Sequence, residues 1–184
     1  MSLPQSLRTS VIPEELELIA CQELIEIVPF VAMDKTVFIS GEFGPLKPPI
    51  KSRIPLWMAL NLKAKKKCRI LAPDWMNVEY LQDRLNRETT QPEFSDLPFR
   101  FAEISRILLD AAPDDIDNVD KLRSLLKDLR EARQSKSREG LAKLDHSELS
   151  LPNLCSMEIN EIRPVFIRSM GVMTQLVRTP AQDP

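Results

Sequence analysis

Glycine is scarce: the 184-residue chain has four. A phosphate-cradling loop needs several at fixed spacing, and "GEFG" fits neither the dinucleotide-binding nor the P-loop pattern. Histidine is scarcer still. The single one, His146, sits in the turn-like "LDHSELSLP" with no cysteine or second histidine near it in sequence. Neither a metal set nor a histidine-based catalytic group is therefore expected. No serine lies in a GxSxG elbow. The three cysteines, Cys21, Cys68 and Cys155, are far apart, lack ligand spacing and cannot all pair. They read as reduced thiols of a cytosolic or nuclear protein.

Long hydrophobic runs are missing too. The longest mostly apolar stretch, "LIEIVPFVAM", carries a glutamate and is about half the ~20 residues that a membrane span needs. The opening "MSLPQSLRTSVIPEELELIA" has no apolar signal region, so a soluble, intracellular chain with no membrane partner is expected. An excess of one charge is also absent. Lys and Arg number 25 against 27 Asp and Glu, net −2, which argues against phosphate contacts as the main task. "DAAPDDIDNVD" holds five aspartates, but lacks the glycine and terminal glutamate of a calcium loop. It reads as a solvated inter-helix loop whose last acids cap the next helix.

What the chain does have is core material: 43% apolar and 28% charged residues, the balance of a globular protein. After a loose arm of ten residues, "IPEELELIACQE" predicts a short helix, with Pro13 and two glutamates in its first turn. "LIEIVPFVAMDKTVFIS" predicts strands on either side of a turn at Asp34-Lys35, the second, Val37 to Ile39, covered on both faces. "GEFGPLKPPIKSR" reads as a loop or linker and marks a domain boundary. The rest is mainly helical. Trp57, Leu60 and Ala64 share one stripe, and Asp74 is the expected N-cap of a helix bearing Trp75, Val78, Leu81 and Leu85. Another helix follows, with Leu97, Phe101, Ile104 and Leu108 on one face. Residues 118–144 then form one long helix with the stripe Val119, Leu122, Leu125/Leu126, Leu129, Ala132. At 1.5 Å per residue it is ~40 Å long, more than its own chain readily covers. A last helix over 153–178 carries Met157, Ile162, Phe166, Met170, Met173 and Leu176/Val177, with a kink or break expected at Pro164.

The fold class is thus mainly α with a small N-terminal β-rich domain (α+β), the helical domain being built of long antiparallel helices. The expected organisation is a β-rich domain over 1–50 with its leading helix, a helical domain over 51–178 and a tail over 179–184.

The two tryptophans bracket a lysine run in "PLWMALNLKAKKKCRILAPDWM". Cations are favoured in a last helical turn, so the run reads as helix punctuation and the tryptophans as core anchors. The other reading gives Lys63, Lys65, Lys66, Lys67 and Arg69 to nuclear import or to the DNA backbone, as a weak nucleic-acid-binding adaptor.

"GPLKPPIKSRIPLWMALNLKAKKKCRILAPDWM", then "LRSLLKDLREARQSKSREGL", then "LSLPNLCSMEINEIRP" follow in an order that resembles the GINS family, from about residue 11 to 178. The chain is most similar to the subunit type in which the β-rich domain comes first. The resemblance implies a nuclear, non-catalytic scaffold without cofactor or metal, one of four related subunits in a heterotetramer. It further implies association with the minichromosome-maintenance ATPase ring and the cell-division-cycle-forty-five protein as the replicative helicase, needed for initiation and elongation, with DNA met only indirectly or weakly. Surfaces, not a catalytic motif, carry over. Leu122, Leu126, Leu129, Arg130 and Arg133 on the long helix are the first expected partner interface, and Met157, Glu158, Ile162 and Phe166 the second. The leucines serve equally well as this chain's own core, whereas arginine is favoured at interfaces.

Overall fold

The computed structural model describes residues 11–142 and 152–177. His146, the N-terminal arm and the 179–184 tail lie outside them, as do the side chains of Met173, Leu176 and Val177.

The chain enters through helix α1 (Pro13–Ala20), whose first-turn Glu15 reaches back to accept the Ile12 N–H at 3.1 Å. Strand β1 (Leu24–Pro29) then forms the middle of an antiparallel sheet ordered β4–β1–β5, with β4 at Ser52–Pro55 and β5 at Cys68–Ile70. Ile25 pairs with Ile54 and Ile27 with Ile70, and all four are buried on one face. Glu26 and Val28 alternate onto the other face, opposite Arg53 and Arg69. This is the inside–outside alternation of an antiparallel sheet with one wet face. A separate hairpin pairs β2 (Thr36–Phe38) with β3 (Gly41–Phe43).

The expected boundary at residue 50 is corrected here, because it would cut this sheet in half. β1 cannot bury Ile25 and Ile27 alone, and both of its neighbours come from beyond that boundary. Helix α2 (Leu56–Ala64) belongs with them, packed on the sheet between β4 and β5. The proline-rich segment is also more than a linker, since it contains β3 and the buried Leu46. The second strand, in turn, is not covered on both faces: Val37 is 70% exposed and Ile39 fully so. The hairpin rests on helix α2 through one aromatic side, where Phe38 meets Trp57 edge to face at 5.1 Å.

The helical part consists of α3 (Val78–Thr90), α4 (Phe101–Ala111), α5 (Val119–Ala142) and α6 (Ser156–Val177). The cap of α3 is Asn77 rather than Asp74; its side-chain oxygen accepts the Tyr80 N–H at 2.7 Å. Trp75 lies in the turn before it, half-buried. α6 runs unbroken past Pro164. Proline deletes one bond of the ladder, and the helical turns on either side outweigh that loss.

Several contacts join the two parts, Arg100 to the Ile19 carbonyl at 2.9 Å and Arg106 to Glu17 at 3.0 Å among them. A 3-10 turn at Pro113–Asp115 delivers Asp115 to the edge of β5, where its Oδ2 accepts the Ile70 N–H and the Lys63 ammonium, each at 2.8 Å. Asp115 is therefore a largely buried strut, the exception in a loop whose other aspartates are exposed as expected. Asp115→Ala strands an edge amide and a half-buried ammonium, and is expected to cost about 2 kcal/mol. That corresponds to a fall of about 4–8 °C in the melting temperature by scanning calorimetry.

Candidate partner interface

Helix α5 lies along α3. Leu122, Leu125 and Leu129 fill that contact and are buried, as the 3.6-residue period requires. One turn further the stripe becomes ionic. Arg133 is fully buried, its Nη1 donating to Glu88 Oε2 and the Ser95 carbonyl at 3.0 Å each. Its Nε and Nη2 grip the two oxygens of Glu158 at 2.5 and 2.8 Å, and Nη2 also reaches the Asn153 carbonyl at 2.7 Å. Lys136 closes the set with 2.7 Å to Glu88 Oε1. Two cations thus meet two carboxylates, and the guanidinium lies over the Phe94 ring at 5.0 Å.

Burial opposes charge on Glu88, but hydrogen bonds from Lys136 and Ser95, with the Arg133 charge, hold its carboxyl below the usual range. Burial is likewise outweighed at Glu158, here by the bonds and charge of Arg133. Glu158 does a second job. Three residues into α6, it accepts the Cys155 N–H at 2.9 Å, capping the helix start. So Leu122, Leu129, Arg133 and Glu158, expected at a partner interface, are enclosed by their own chain, the α5 residues by α3 and Glu158 by its pairing with Arg133. Sequence reasoning missed Glu88 and Ser95 altogether. The one available signal was that the α5 stripe turns from leucine to arginine without leaving its face.

The remaining expected residues do face outward. Leu126 and Met157 are half-buried and floor a groove of about 400 Å³ between α4, α5 and α6. Its rim is charged: Arg130 is exposed and bridges to Glu161 at 2.8 Å. α6 leads away from this groove. At 100° per residue, Ile162 and Phe166 stand mid-arc between Ile159 and Val165. Ile159, Val165 and Val172 are 44%, 54% and 57% exposed. Asn160 ties the helix to the start of the chain, exchanging two bonds of 2.8 and 2.7 Å with the Val11 backbone. Ile162 and Phe166 are themselves half-buried, Ile162 in a cleft beside Gln134 and Arg138 of α5, and the arc is open at Ile159, Val165 and Val172.

The lysine run ends α2. The Lys66 N–H returns to the Lys63 carbonyl and the Lys67 N–H to that of Leu62, both at 2.8 Å, with Lys66 at φ +55°. This is a Schellman cap built on lysine instead of glycine. Lys63 is taken by Asp115, while Lys65, Lys66, Lys67 and Arg69 are exposed.

Burial pushes the thiols up: Cys68 to about 11, with Asp115 adding to the shift, and Cys155 further, with Glu158 adding to it. Neither is a poised nucleophile. No group of three or more metal-ligating side chains converges among the described residues.

Residues 12–71 match the model of the PSF2 N-terminal domain, and residues 75–177 that of the GINS complex protein helical bundle domain. The interval between the matches falls just after β5, where the sheet ends. A protein of Schizosaccharomyces pombe named DNA replication complex GINS protein psf2 is 43% identical over 183 residues, which cover all of both chains. Proteins named DNA replication complex GINS protein PSF2 from Xenopus laevis and Homo sapiens are 36% and 34% identical, covering 92% and 88% of this chain and 94% and 90% of their own.

Proposed function

The chain belongs to the PSF2 family of GINS complex proteins, and from that premise we propose that it is a non-catalytic scaffold subunit of a GINS heterotetramer acting in DNA replication. It works in the nucleus, as part of an assembly that holds the minichromosome-maintenance ATPase ring and the cell-division-cycle-forty-five protein in their active arrangement. The observation that supports this reading best is the apolar arc of α6, which its own chain leaves open from Ile159 to Val172. An exposed apolar arc of this kind marks a surface that another apolar face covers. Sister subunits with their own long helices are the partners that family membership offers. The charged pair Arg130–Glu161 beside the arc supplies the polar rim that fixes register in protein interfaces.

Co-expression of the tagged chain with the three other subunits, followed by native mass measurement, tests this. Four chains in equal amounts are expected. A lone monomer whose α6 amides are as protected from hydrogen exchange as those of α5 would overturn it.

A further inference from the structure

We propose that the open face of the β4–β1–β5 sheet, together with the lysine turn at its edge, is a platform for single-stranded nucleic acid. Val28 stands opposite Arg69 in the sheet register. The Phe30 N–H donates to the Lys67 carbonyl at 2.8 Å, which carries the same pairing two residues further. Strand side chains alternate, so Val28, Phe30, Lys67 and Arg69 share one face, while Ile27, Cys68 and Ile70 are buried on the other. Phe30 is 59% exposed beyond the end of the strand, an aromatic ring with cations beside it.

The charge on this face is uncompensated. Lys63 is spent on Asp115, and Glu26 is taken by Arg53 at 3.1 Å. Lys65, Lys66, Lys67 and Arg69 have no ion-pair partner among the described residues. A chain of net charge −2 thus concentrates four cations in one cap and strand, two of them, Lys67 and Arg69, on the face of the exposed Phe30 ring. Stacking of bases on an aromatic side chain, with basic groups following the backbone, is how single strands are held without sequence reading. An acidic peptide fits less well. Peptides that dock on sheets add along an edge, and the outward Ile70 N–H of β5 is already filled by the Asp115 carboxylate. A duplex would engage the lysines but could not offer an unstacked base to Phe30.

The test is fluorescence anisotropy of a labelled oligodeoxythymidine of about 20 nucleotides. It is titrated with the full-length chain, purified with whatever subunits accompany it, across a salt series. Lys65→Glu/Lys67→Glu/Arg69→Glu is expected to weaken binding at least about tenfold and to flatten the log–log salt slope by about 2, since each phosphate contact on a single strand contributes about 0.7. Phe30→Ala is expected to weaken it about fivefold or more, with the slope unchanged, through loss of one stacked base. Both changes are at exposed positions, and unchanged circular dichroism verifies the fold. Three results would each overturn the proposal: no binding, equal binding of a duplex that ignores Phe30→Ala, or displacement of the oligonucleotide by a glutamate-rich peptide at similar concentration.

Discussion

Arg133→Ala is expected to destabilise the chain by about 3–5 kcal/mol, because it leaves two buried carboxylates without their shared cation. At this chain length the loss corresponds to a fall of about 6–20 °C in melting temperature. The pH dependence carries the mechanism. In the native chain the Glu88 and Glu158 carboxyls are held below their ordinary range. Both therefore contribute stability that is present above the unfolded carboxylate pKa and lost as pH falls through the lower folded values. Without Arg133, burial dominates at Glu158 and gains ground at Glu88, so acid relieves the variant while it weakens the parent. The stability gap between the two should narrow from pH 7 towards pH 4.5 in denaturant titrations. A gap that stays constant would mean that lost packing, not charge, is the cost. Arg130→Ala gives the contrast: its bridge to Glu161 is exposed, and such pairs are worth about 1 kcal/mol or less. Replacing the three buried members at once, Arg133→Met with Glu88→Gln and Glu158→Gln, should recover much of the loss, since only Lys136 stays charged and its ammonium keeps the Gln91 and Glu93 carbonyls at 3.0 and 2.8 Å.

The same residue shows where the sequence stops being readable. Periodicity placed Leu122, Leu125 and Leu129 on one face of α5, and the structure buries all three. Arg133 lies on that face as well, one turn past the last leucine, but a period says nothing about what stands opposite. Glu88 and Glu158 are 45 and 25 residues away along the chain, and only folding brings them together. Arginine at a helix face then looks like a contact for another molecule. The sheet was obscured for the same reason. β1 pairs with strands that begin at Ser52 and Cys68, whereas local reasoning expects the next strand to be the neighbour. Val37 to Ile39 failed differently: three apolar residues in a row read as buried on both faces, and the hairpin instead holds Val37 and Ile39 in the open. The helix ends were more legible in type than in position. Asn77 displaced Asp74 as cap by three residues, and no sequence pattern marks Lys66 as the left-handed residue that closes α2.

Phe166→Asp is expected to abolish assembly while sparing the fold. Phe166 lies mid-arc on α6, half-buried, beyond the turns that Arg130 and Asn160 hold to the rest of the chain. In the isolated chain an aspartate there can reach water, so the cost to stability should stay near that of a surface change, about 0.5 kcal/mol. In an assembly the same carboxylate would lie under a sister helix, unpaired and cut off from solvent. A buried polar group without a partner costs about 1–3 kcal/mol by protein measurements, and a charge more. The lost aromatic contact adds to it. Together these weaken association at least about a hundredfold, which in a co-expression pull-down reads as loss of the sister subunits. Arg168→Asp is the control, since Arg168 is exposed and stands about 160° round the helix from Phe166, and should leave the pull-down intact. The comparison separates the two surfaces that could serve. If Phe166→Asp assembles normally while Leu126→Asp does not, the joint is the groove between α4, α5 and α6, and the arc of α6 meets something other than the tetramer.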